Sequence, residues 1–466
     1  MKRVAIIGGG IAGLSAAFYL EQWRRGGAEL TYVLYEASPR LGGVIRTERT
    51  DDGFLVEAGP DSFLSEKPWA RELCRELGIE DRLIGSNDAT RQTWMLHGGR
   101  LHPLPDGLQF LVPTRGLPII TSGLFSWGTK MRIAAEYFQH PRVTASDESA
   151  AAFVERHFGQ EMVERLADPL LAGVYGGTAA RLSARAVLPR LVALEQQHGS
   201  LARGLLQNRK QPPVGEAQGS IFTTLNSGMQ ELVDAVAARL TPVAVRTEAP
   251  VQRVSRGHSL WMVQSAQGVE QFDSIILALP AYVAAELLAD ASAKLAAQLR
   301  QIPYSSSVTV ALAYDAAQVA ARGRTLPQGF GVLLPRSEGK RMLACTFVHN
   351  KFAGRAPDGG LLLRAFLGGT TDEAALELSD EGVLRVVRQE LKEILGLDAE
   401  PLFALIHRWP RAMAQYEVGH LERVEAIERL RQTLPGLHLI GNAYGGIGVP
   451  DCVRAGKEAA EAVIEN

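Results

Sequence analysis

The sequence predicts an α/β protein built on a parallel sheet, with a mixed α+β part and a helical insertion. Residues 4–7 form a short apolar run of the kind that is buried in a parallel sheet. A glycine-rich turn at residues 8–13, a helical stretch and a second apolar run follow, which together predict a βαβ unit. A strand, a glycine-rich turn and a helix also close the chain, after residue 437.

The composition excludes several classes of protein. A length of 466 residues predicts two or three domains. With 46% hydrophobic and 21% charged residues, the chain is neither disordered nor collagen-like nor a multi-span membrane protein. A net charge of -2 gives no basic field for nucleic acid. Three widely spaced cysteines without a CxxC motif argue against a disulfide framework or a zinc site, so we expect a cytoplasmic protein.

Hydrophobic periodicity predicts the remaining elements in chain order. The first unit continues as a helix over 14–25 and a strand over 30–35. Residues 89–207 are mostly helical in pattern, and 207–219 form a polar connector. A helix over 230–240 precedes strands at 251–254, 259–264 and 274–279. Alternating segments at 307–314 and 361–366 predict an antiparallel sheet, and the chain closes with a strand over 437–440 and a helix over 451–464.

The first glycine motif is a GxGxxG sequence between a strand and a helix. Gly8 permits the tight turn, Gly10 lets the backbone approach a pyrophosphate, and Gly13 lets helix and strand pack closely. The helix N-terminus attracts the anion. Glu36 follows at the end of the second strand, where a carboxylate can accept hydrogen bonds from ribose hydroxyls. The motif therefore predicts a Rossmann-like dinucleotide site.

Two further glycine-rich segments favour FAD over NAD. The second segment has two parts: Arg40, Gly42 and Gly43 follow Glu36 closely, and residues 57–61 come after one further hairpin. With these the chain approaches the rest of a longer cofactor. The third segment, residues 439–451, consists of a strand, a glycine-rich turn and the start of a final helix. This arrangement resembles the flavin-containing amine oxidase superfamily, in which the last segment packs over the isoalloxazine ring.

Within that superfamily, the chain resembles the oxygen-dependent protoporphyrinogen and coproporphyrinogen oxidases of haem synthesis. The segments that carry the resemblance are residues 59–63, 153–159, 168–177, 228–230 and 448–452. The resemblance implies six-electron oxidation of a porphyrinogen to a porphyrin, with O2 as oxidant and H2O2 as product. Because hydride transfer to a flavin requires positioning more than an acid or a base, we expect no catalytic side-chain triad and no metal site.

The motifs and the resemblance together imply a set of cofactor contacts. These are Gly8, Gly10, Ile11, Ala12, Gly13, Glu36, Ala37, Arg40, Gly42, Gly43, Gly59, Pro60, Asp61, Ser62, Val251, Trp409, Gly441, Ile447, Gly448 and Val449.

The resemblance also implies a set of substrate contacts. Arg91 either binds a propionate, for which its planar guanidinium group is suited, or lies in solvent at the end of a strand. Lys67 is either a second cation near the flavin edge or an exposed lysine at a helix entry. Leu170, Gly173 and Val174 either line the macrocycle cavity or pack at a helix end.

The distribution of the motifs predicts a discontinuous FAD-binding domain of the amine oxidase type. Its segments are residues 1–88, 208–280 and 402–466, with a helical insertion at 89–207 and a substrate domain at 281–401. The apolar stretch 108–127 is interrupted by two prolines and an arginine, and two interpretations of it stay open. It either contacts the membrane interface, which would place the protein at the cytoplasmic membrane face, or it is a buried loop and helix lining a pocket.

Beyond the porphyrinogen and O2, the resemblance implies transfer of the product to a ferrochelatase. Two alternative functions also stay open. An amine oxidase on the same fold would need an aromatic cage, for which the C-terminal segment offers Trp409 and Tyr444. A carrier similar to the prenyl-binding GDP-dissociation inhibitors would share the fold without flavin catalysis, and the three glycine-rich segments argue against it.

Overall fold

The computed structural model describes residues 1–142, 146–208 and 220–465. The strands are β1 (Lys2–Ile7), β2 (Leu30–Tyr35), β3 (Thr47–Arg49), β4 (Leu55–Glu57), β5 (Phe63–Leu64), β6 (Leu83–Gly85), β7 (Thr93–His97), β8 (Arg100–Pro103), β9 (Leu108–Gln109), β10 (Val112–Pro113), β11 (Phe222–Leu225), β12 (Val245–Arg246), β13 (Val251–Arg256), β14 (Trp261–Ser265), β15 (Gly268–Phe272), β16 (Ser274–Leu277), β17 (Tyr304–Asp315), β18 (Gly331–Leu333), β19 (Met342–Phe347), β20 (Gly360–Gly368), β21 (Phe403–Ala414) and β22 (Leu437–Leu439).

The helices lie between and after these strands. They are α1 (Ile11–Arg25), α2 (Trp69–Leu77), α3 (Gly116–Thr121), α4 (Trp127–Glu136), α5 (Ala150–Phe158), α6 (Gln160–Met162), α7 (Asp168–Tyr175), α8 (Ala184–Val187), α9 (Pro189–His198), α10 (Leu201–Asn208), α11 (Gln230–Ala237), α12 (Ala281–Leu287), α13 (Ala293–Arg300), α14 (Ala316–Ala321), α15 (Val348–Lys351), α16 (Asp380–Leu395), α17 (His420–Gln432) and α18 (Val449–Glu465). A π-helical turn, Val163–Ala167, joins α6 to α7.

A five-stranded parallel sheet forms the cofactor side of the molecule, in the order β12-β2-β1-β16-β22. Its strands come from all three segments that the sequence assigns to the FAD-binding domain. On one face, buried side chains of α1, α2, α11 and α18 pack against β1 and β2. On the other face, the core continues into the helical insertion and the β13-β14-β15 sheet. Helix α18 crosses α1 closely, since a Cβ at Gly456 would lie 2.5 Å from the Ala12 carbonyl oxygen.

A seven-stranded sheet forms the second layer, in the order β21-β17-β20-β19-β18-β7-β8. All its pairs are antiparallel except β18 with β7, which is parallel. Apolar residues of α16 cover one face. The sheet incorporates β7 and β8 from the predicted helical insertion and β21 from the predicted cofactor segment. The sheet therefore crosses the predicted segment boundaries at both places. This occurs because long-range strand pairing, which the local pattern does not encode, decides the sheet to which a strand belongs.

The predicted elements and the observed ones differ mostly at their ends. Helix α1 begins at Ile11, three residues before its predicted start, and helix α11 ends at Ala237, three residues before its predicted end. Helix α10 continues to Asn208, within the predicted connector, and residues 209–219 of that connector lie outside the described residues. Among the helices of the described ranges, none is long and apolar enough to cross a membrane.

Candidate cofactor and substrate site

The glycine loop between β1 and α1 is shaped by two close backbone contacts. A Cβ at Gly8 would lie 2.3 Å from the Ala278 carbonyl oxygen, and a Cβ at Gly13 would lie 2.0 Å from the Gly8 carbonyl oxygen. A Cβ at Gly10, by contrast, would meet no other atom of the described residues within 4 Å. The structure therefore separates two reasons for glycine: Gly8 and Gly13 are required by packing, whereas Gly10 leaves an open surface.

The N-terminus of α1 is available to an anion. Gly10 is its N-cap, no side chain among the described residues caps the helix, and the first turn carries no acidic residue. The first intrahelical bond runs from the Leu14 N–H to the Gly10 carbonyl, so the N–H groups of Ile11, Ala12 and Gly13 precede it. These donors and the open Cα of Gly10 form a cradle that fits a pyrophosphate.

Glu36 lies directly beside this loop, as the sequence predicts. Its Oε2 accepts a hydrogen bond from the Gly9 N–H at 2.6 Å, and its Oε1 accepts one from the Ser38 N–H at 2.8 Å. Residues Glu36–Ser38 also pair with the segment that leads to Val251, through the Ala249 N–H and the Glu36 carbonyl at 2.9 Å. Two backbone donors thus fix the carboxylate while lone pairs remain for ribose hydroxyls.

The second glycine-rich segment touches the first. Gly42 pairs with Gly10 in an isolated bridge, and Gly43, at φ +58, places its Cβ position 3.3 Å from the Gly10 Cα. The Arg40 guanidinium donates to the carbonyls of Leu41 at 3.1 Å and Ile45 at 2.9 Å, and also to that of Gly43. The donors of Arg40 therefore hold the loop in shape around the cradle.

Hydrogen bonds and an ion pair hold the loop at residues 58–62 in place. The Ala58 carbonyl accepts hydrogen bonds from the Trp409 Nε1 at 2.9 Å and the Thr309 hydroxyl at 2.9 Å. Asp61 forms an ion pair with Lys351 at 3.0 Å. Burial tends to raise the pKa of Asp61, but the charges of Lys351 and Arg364 outweigh it and hold that pKa below its ordinary value.

Arg364 is a buried cation that the sequence analysis missed. Its side chain donates to the Gly59 carbonyl, and its Nε is buried with no hydrogen-bond partner in the described part of the chain. A signal for it exists in the sequence: an arginine interrupts the apolar run 361–367, which forms β20. A buried charge in a strand interior indicates a specific partner, here the loop that carries Gly59.

The third glycine-rich segment leads from β22 into α18. Gly441 and Gly446 have φ values of +123 and +132. The Gly446 N–H donates to the Tyr416 hydroxyl at 3.0 Å, and that hydroxyl donates to the Asn442 carbonyl at 2.8 Å. Residues 441–449 therefore follow the carboxyl end of β22, on the same edge of the sheet as the glycine loop after β1. That edge is where open parallel sheets bind their ligands.

The residues predicted to bind substrate are less closely grouped. Arg91 is exposed and lies two residues before β7, next to β18 in the seven-stranded sheet. Helix α7 packs on that sheet, with a Cβ at Gly173 4.0 Å from Leu333. Val174 is exposed, and Leu170 is half-buried. Lys67 is paired with Asp451, at 2.7 Å. The roles of these residues in substrate binding stay predictions.

Comparison with known proteins gives consistent matches along the whole chain. Residues 11–464 match the family described as flavin containing amine oxidoreductase. The chain is 36% identical over 465 residues to a coproporphyrinogen III oxidase of Bacillus subtilis, covering 98% of this chain and 97% of that protein. It is 32% identical over 493 residues to a protoporphyrinogen oxidase of Bos taurus, covering 99% of this chain and 98% of that protein.

Solved structures agree with these matches. A crystal structure of a candidate protoporphyrinogen oxidase from Exiguobacterium sp. 255-15 superposes with a TM-score of 0.87 at 32% identity, covering 100% of this chain and 99% of that one. Cyclohexylamine oxidase of Brevibacterium oxydans superposes with a TM-score of 0.69 at 18% identity, over 100% and 99% of the two chains, which shows the shared fold alone. The predicted α/β fold of the amine oxidase type is confirmed.

Proposed function

Because this chain belongs to the flavin-containing amine oxidoreductase family, we propose that it oxidises a porphyrinogen to a porphyrin, with coproporphyrinogen III as its substrate. The observation that carries the proposal is the near full-length similarity to porphyrinogen oxidases. Coproporphyrinogen III is the substrate that the name of the 36% identical relative gives. Family membership also confirms the predicted flavin cofactor, FAD.

The residues of this chain fit FAD at the edge of the parallel sheet. The N–H groups of Ile11, Ala12 and Gly13 would hold the pyrophosphate, and Glu36 the ribose. Bound there, FAD would supply the hydride acceptor for the substrate and the route by which the electrons reach O2. The polypeptide supplies position: buried hydrogen bonds to the Ala58 carbonyl and the Asp61–Lys351 ion pair fix the loop beside the cofactor site.

Oxidation by this route removes six hydrogen atoms from the macrocycle and reduces three O2 to three H2O2. Purified protein should therefore be yellow, and a porphyrinogen under air should yield fluorescent porphyrin with about three peroxides for each porphyrin. Coproporphyrinogen III and protoporphyrinogen IX are to be compared with one preparation. A higher kcat/KM for protoporphyrinogen IX would contradict the choice of substrate. Peroxide from amines and none from porphyrinogens, or a colourless protein, would contradict the function.

A second part of the proposal concerns the membrane surface. The segment of α3 and α4 exposes apolar side chains, with Leu117 at 72%, Trp127 at 69% and Met131 at 67% exposure. Lys130 lies over the Trp127 ring, at 4.9 Å. Apolar residues next to a cation fit the interface of an anionic bilayer, so we propose peripheral binding to such a membrane.

Vesicle co-sedimentation tests this surface. A variant with Trp127→Ser and Met131→Ser should lose binding to vesicles that contain anionic phosphatidylglycerol. Val243, which is 85% exposed on another part of the chain, offers a matched control as Val243→Ser. Equal binding of both variants would exclude the proposed surface. Transfer of the product to a ferrochelatase stays a prediction.

A further inference from the structure

We propose that Lys67 is a positioning residue that neutralises Asp451 at the start of α18, and that it does not bind a propionate of the substrate. The proposal rests on the FAD-dependent function above and deepens it. It concerns how this chain sets the charge beside the cofactor.

The ion pair between the two residues is close and two-pronged. The Lys67 Nζ lies 2.9 Å from Oδ1 and 2.7 Å from Oδ2 of Asp451. The Asp451 side chain is only 6% exposed, and that of Lys67 is 34% exposed. Both carboxylate oxygens are thus engaged by one ammonium group, which leaves that group little freedom to turn toward another anion.

Asp451 in turn shapes the glycine-rich turn before α18. Its Oδ2 accepts a hydrogen bond from the Gly448 N–H at 3.1 Å. A Cβ at Gly446 would lie 2.4 Å from the Asp451 Cγ, so the carboxylate rests against the backbone of the turn. The Gly446 N–H is held from the other side by the Tyr416 hydroxyl, at 3.0 Å. The position of the turn therefore depends on the carboxylate staying in place.

The charge of the carboxylate needs compensation at this position. The N-terminus of α18 carries a partial positive charge, which would stabilise negative charge on a flavin bound near it. A flavin gains negative charge on reduction, and an unpaired carboxylate in the first turn of α18 would oppose that gain. The Lys67 ammonium cancels the charge, so the partial positive charge of the helix acts on the cofactor unopposed. An unpaired, buried Asp451 would also be costly for the fold.

Three variants separate this role from substrate binding. Lys67→Met should lower the midpoint potential of bound FAD and slow its anaerobic reduction by substrate about tenfold, because the unpaired carboxylate raises the barrier to reduction. Asp451→Asn keeps an oxygen for the Gly448 N–H and should raise the potential. The double variant should return the potential to near the wild-type value. Lys392→Met, which breaks an exposed ion pair with Asp398 at 2.9 Å, is the matched control and should shift nothing.

The measurements are made on the holoprotein. Photoreduction in a spectroelectrochemical cell gives the potential without any substrate, so it does not depend on which porphyrinogen is oxidised. Thermal unfolding identifies a variant that fails to fold, and in that case Asp451→Asn alone decides: an unchanged potential overturns the proposal. A Lys67→Met variant with an unchanged potential and a raised KM for porphyrinogen, not restored in the double variant, also overturns it. Failure of the wild type to oxidise porphyrinogens would instead overturn the proposed function.

Discussion

Alanine in place of Gly13 should destabilise the protein, whereas alanine in place of Gly10 should weaken cofactor binding and leave the fold nearly unchanged. In the Gly13→Ala variant, the new Cβ would lie 2.0 Å from the Gly8 carbonyl oxygen, so strand and helix must move apart. Overpacking of this kind costs about 1–3 kcal/mol. At about 2–4 °C for each kcal/mol in a unit of 150–250 residues, we expect the melting temperature to fall by several degrees.

The Gly10→Ala variant provides the matched comparison. Gly10 has φ -70 and ψ 175, which alanine adopts freely, and in the part of the chain that the structure describes a Cβ there would meet no atom within 4 Å. Loss of the N-cap glycine costs below about 1 kcal/mol. The new methyl group instead occupies the space over which the pyrophosphate must approach, so we expect FAD affinity to fall at least about tenfold, or about 1.4 kcal/mol.

Two measurements check this pair of variants. Thermal unfolding of FAD-stripped protein reports the fold, and titration with FAD reports the affinity. The reasoning is refuted if Gly10→Ala destabilises the stripped protein as much as Gly13→Ala does, or if Gly10→Ala binds FAD with wild-type affinity. Either result would mean that the open surface at Gly10 is not the cofactor cradle.

Three further predictions concern the buried polar groups. Trp409→Phe removes one hydrogen bond to the Ala58 carbonyl and should cost about 1 kcal/mol of stability, measured by thermal unfolding; no change would show that the remaining donors suffice. Burial acts to lower the pKa of His157, but the carboxylates of Glu136 and Glu195, which face its two ring nitrogens, raise it above its ordinary value of 6.5. The stabilisation that this charge contributes is therefore complete below pH 6.5 and is lost as the pH rises through the raised pKa. The melting temperature of His157→Gln should therefore fall furthest below that of the wild type at acidic pH, and an equal deficit at about pH 6 and about pH 9 would contradict this. Burial raises the pKa of Glu57 from 4.5 to about 7. The free energy of unfolding of the wild type should therefore fall by about 3 kcal/mol as the pH rises through this range, and that of Glu57→Gln should not. Urea unfolding measures both, and the same pH dependence for the two proteins would refute the prediction.

Much of the candidate cofactor site could be proposed from the sequence because its signals are local. The glycines at 8, 10 and 13 and the carboxylate at 36 lie within one βαβ unit, where spacing, turn geometry and strand order fix each other. The structure brings the predicted residues of all three glycine-rich segments to one edge of the parallel sheet. Within the first segment, close backbone contacts explain Gly8 and Gly13, and the open surface explains Gly10.

The long-range partners could not be predicted in the same way. Arg364 could be noticed as a charge in an apolar strand, but its acceptor, the Gly59 carbonyl, lies 305 residues away. The partner of Lys67, Asp451, lies 384 residues away. No local pattern encodes such pairs, because they depend on how separate elements pack. The same holds for β21, which the sequence placed with the cofactor segment and which pairs with β17 instead.

The sequence by itself determined the dinucleotide-binding fold, because glycine spacing and strand–turn–helix order reflect steric requirements within short stretches of chain. The flavin cofactor and the family followed from the resemblance of the longer motifs to known oxidases. Only the tertiary structure decided which strands share a sheet and which charges neutralise one another. Those choices follow from burial: a strand or a charged side chain is stable only where packing supplies its hydrogen-bond or charge partner.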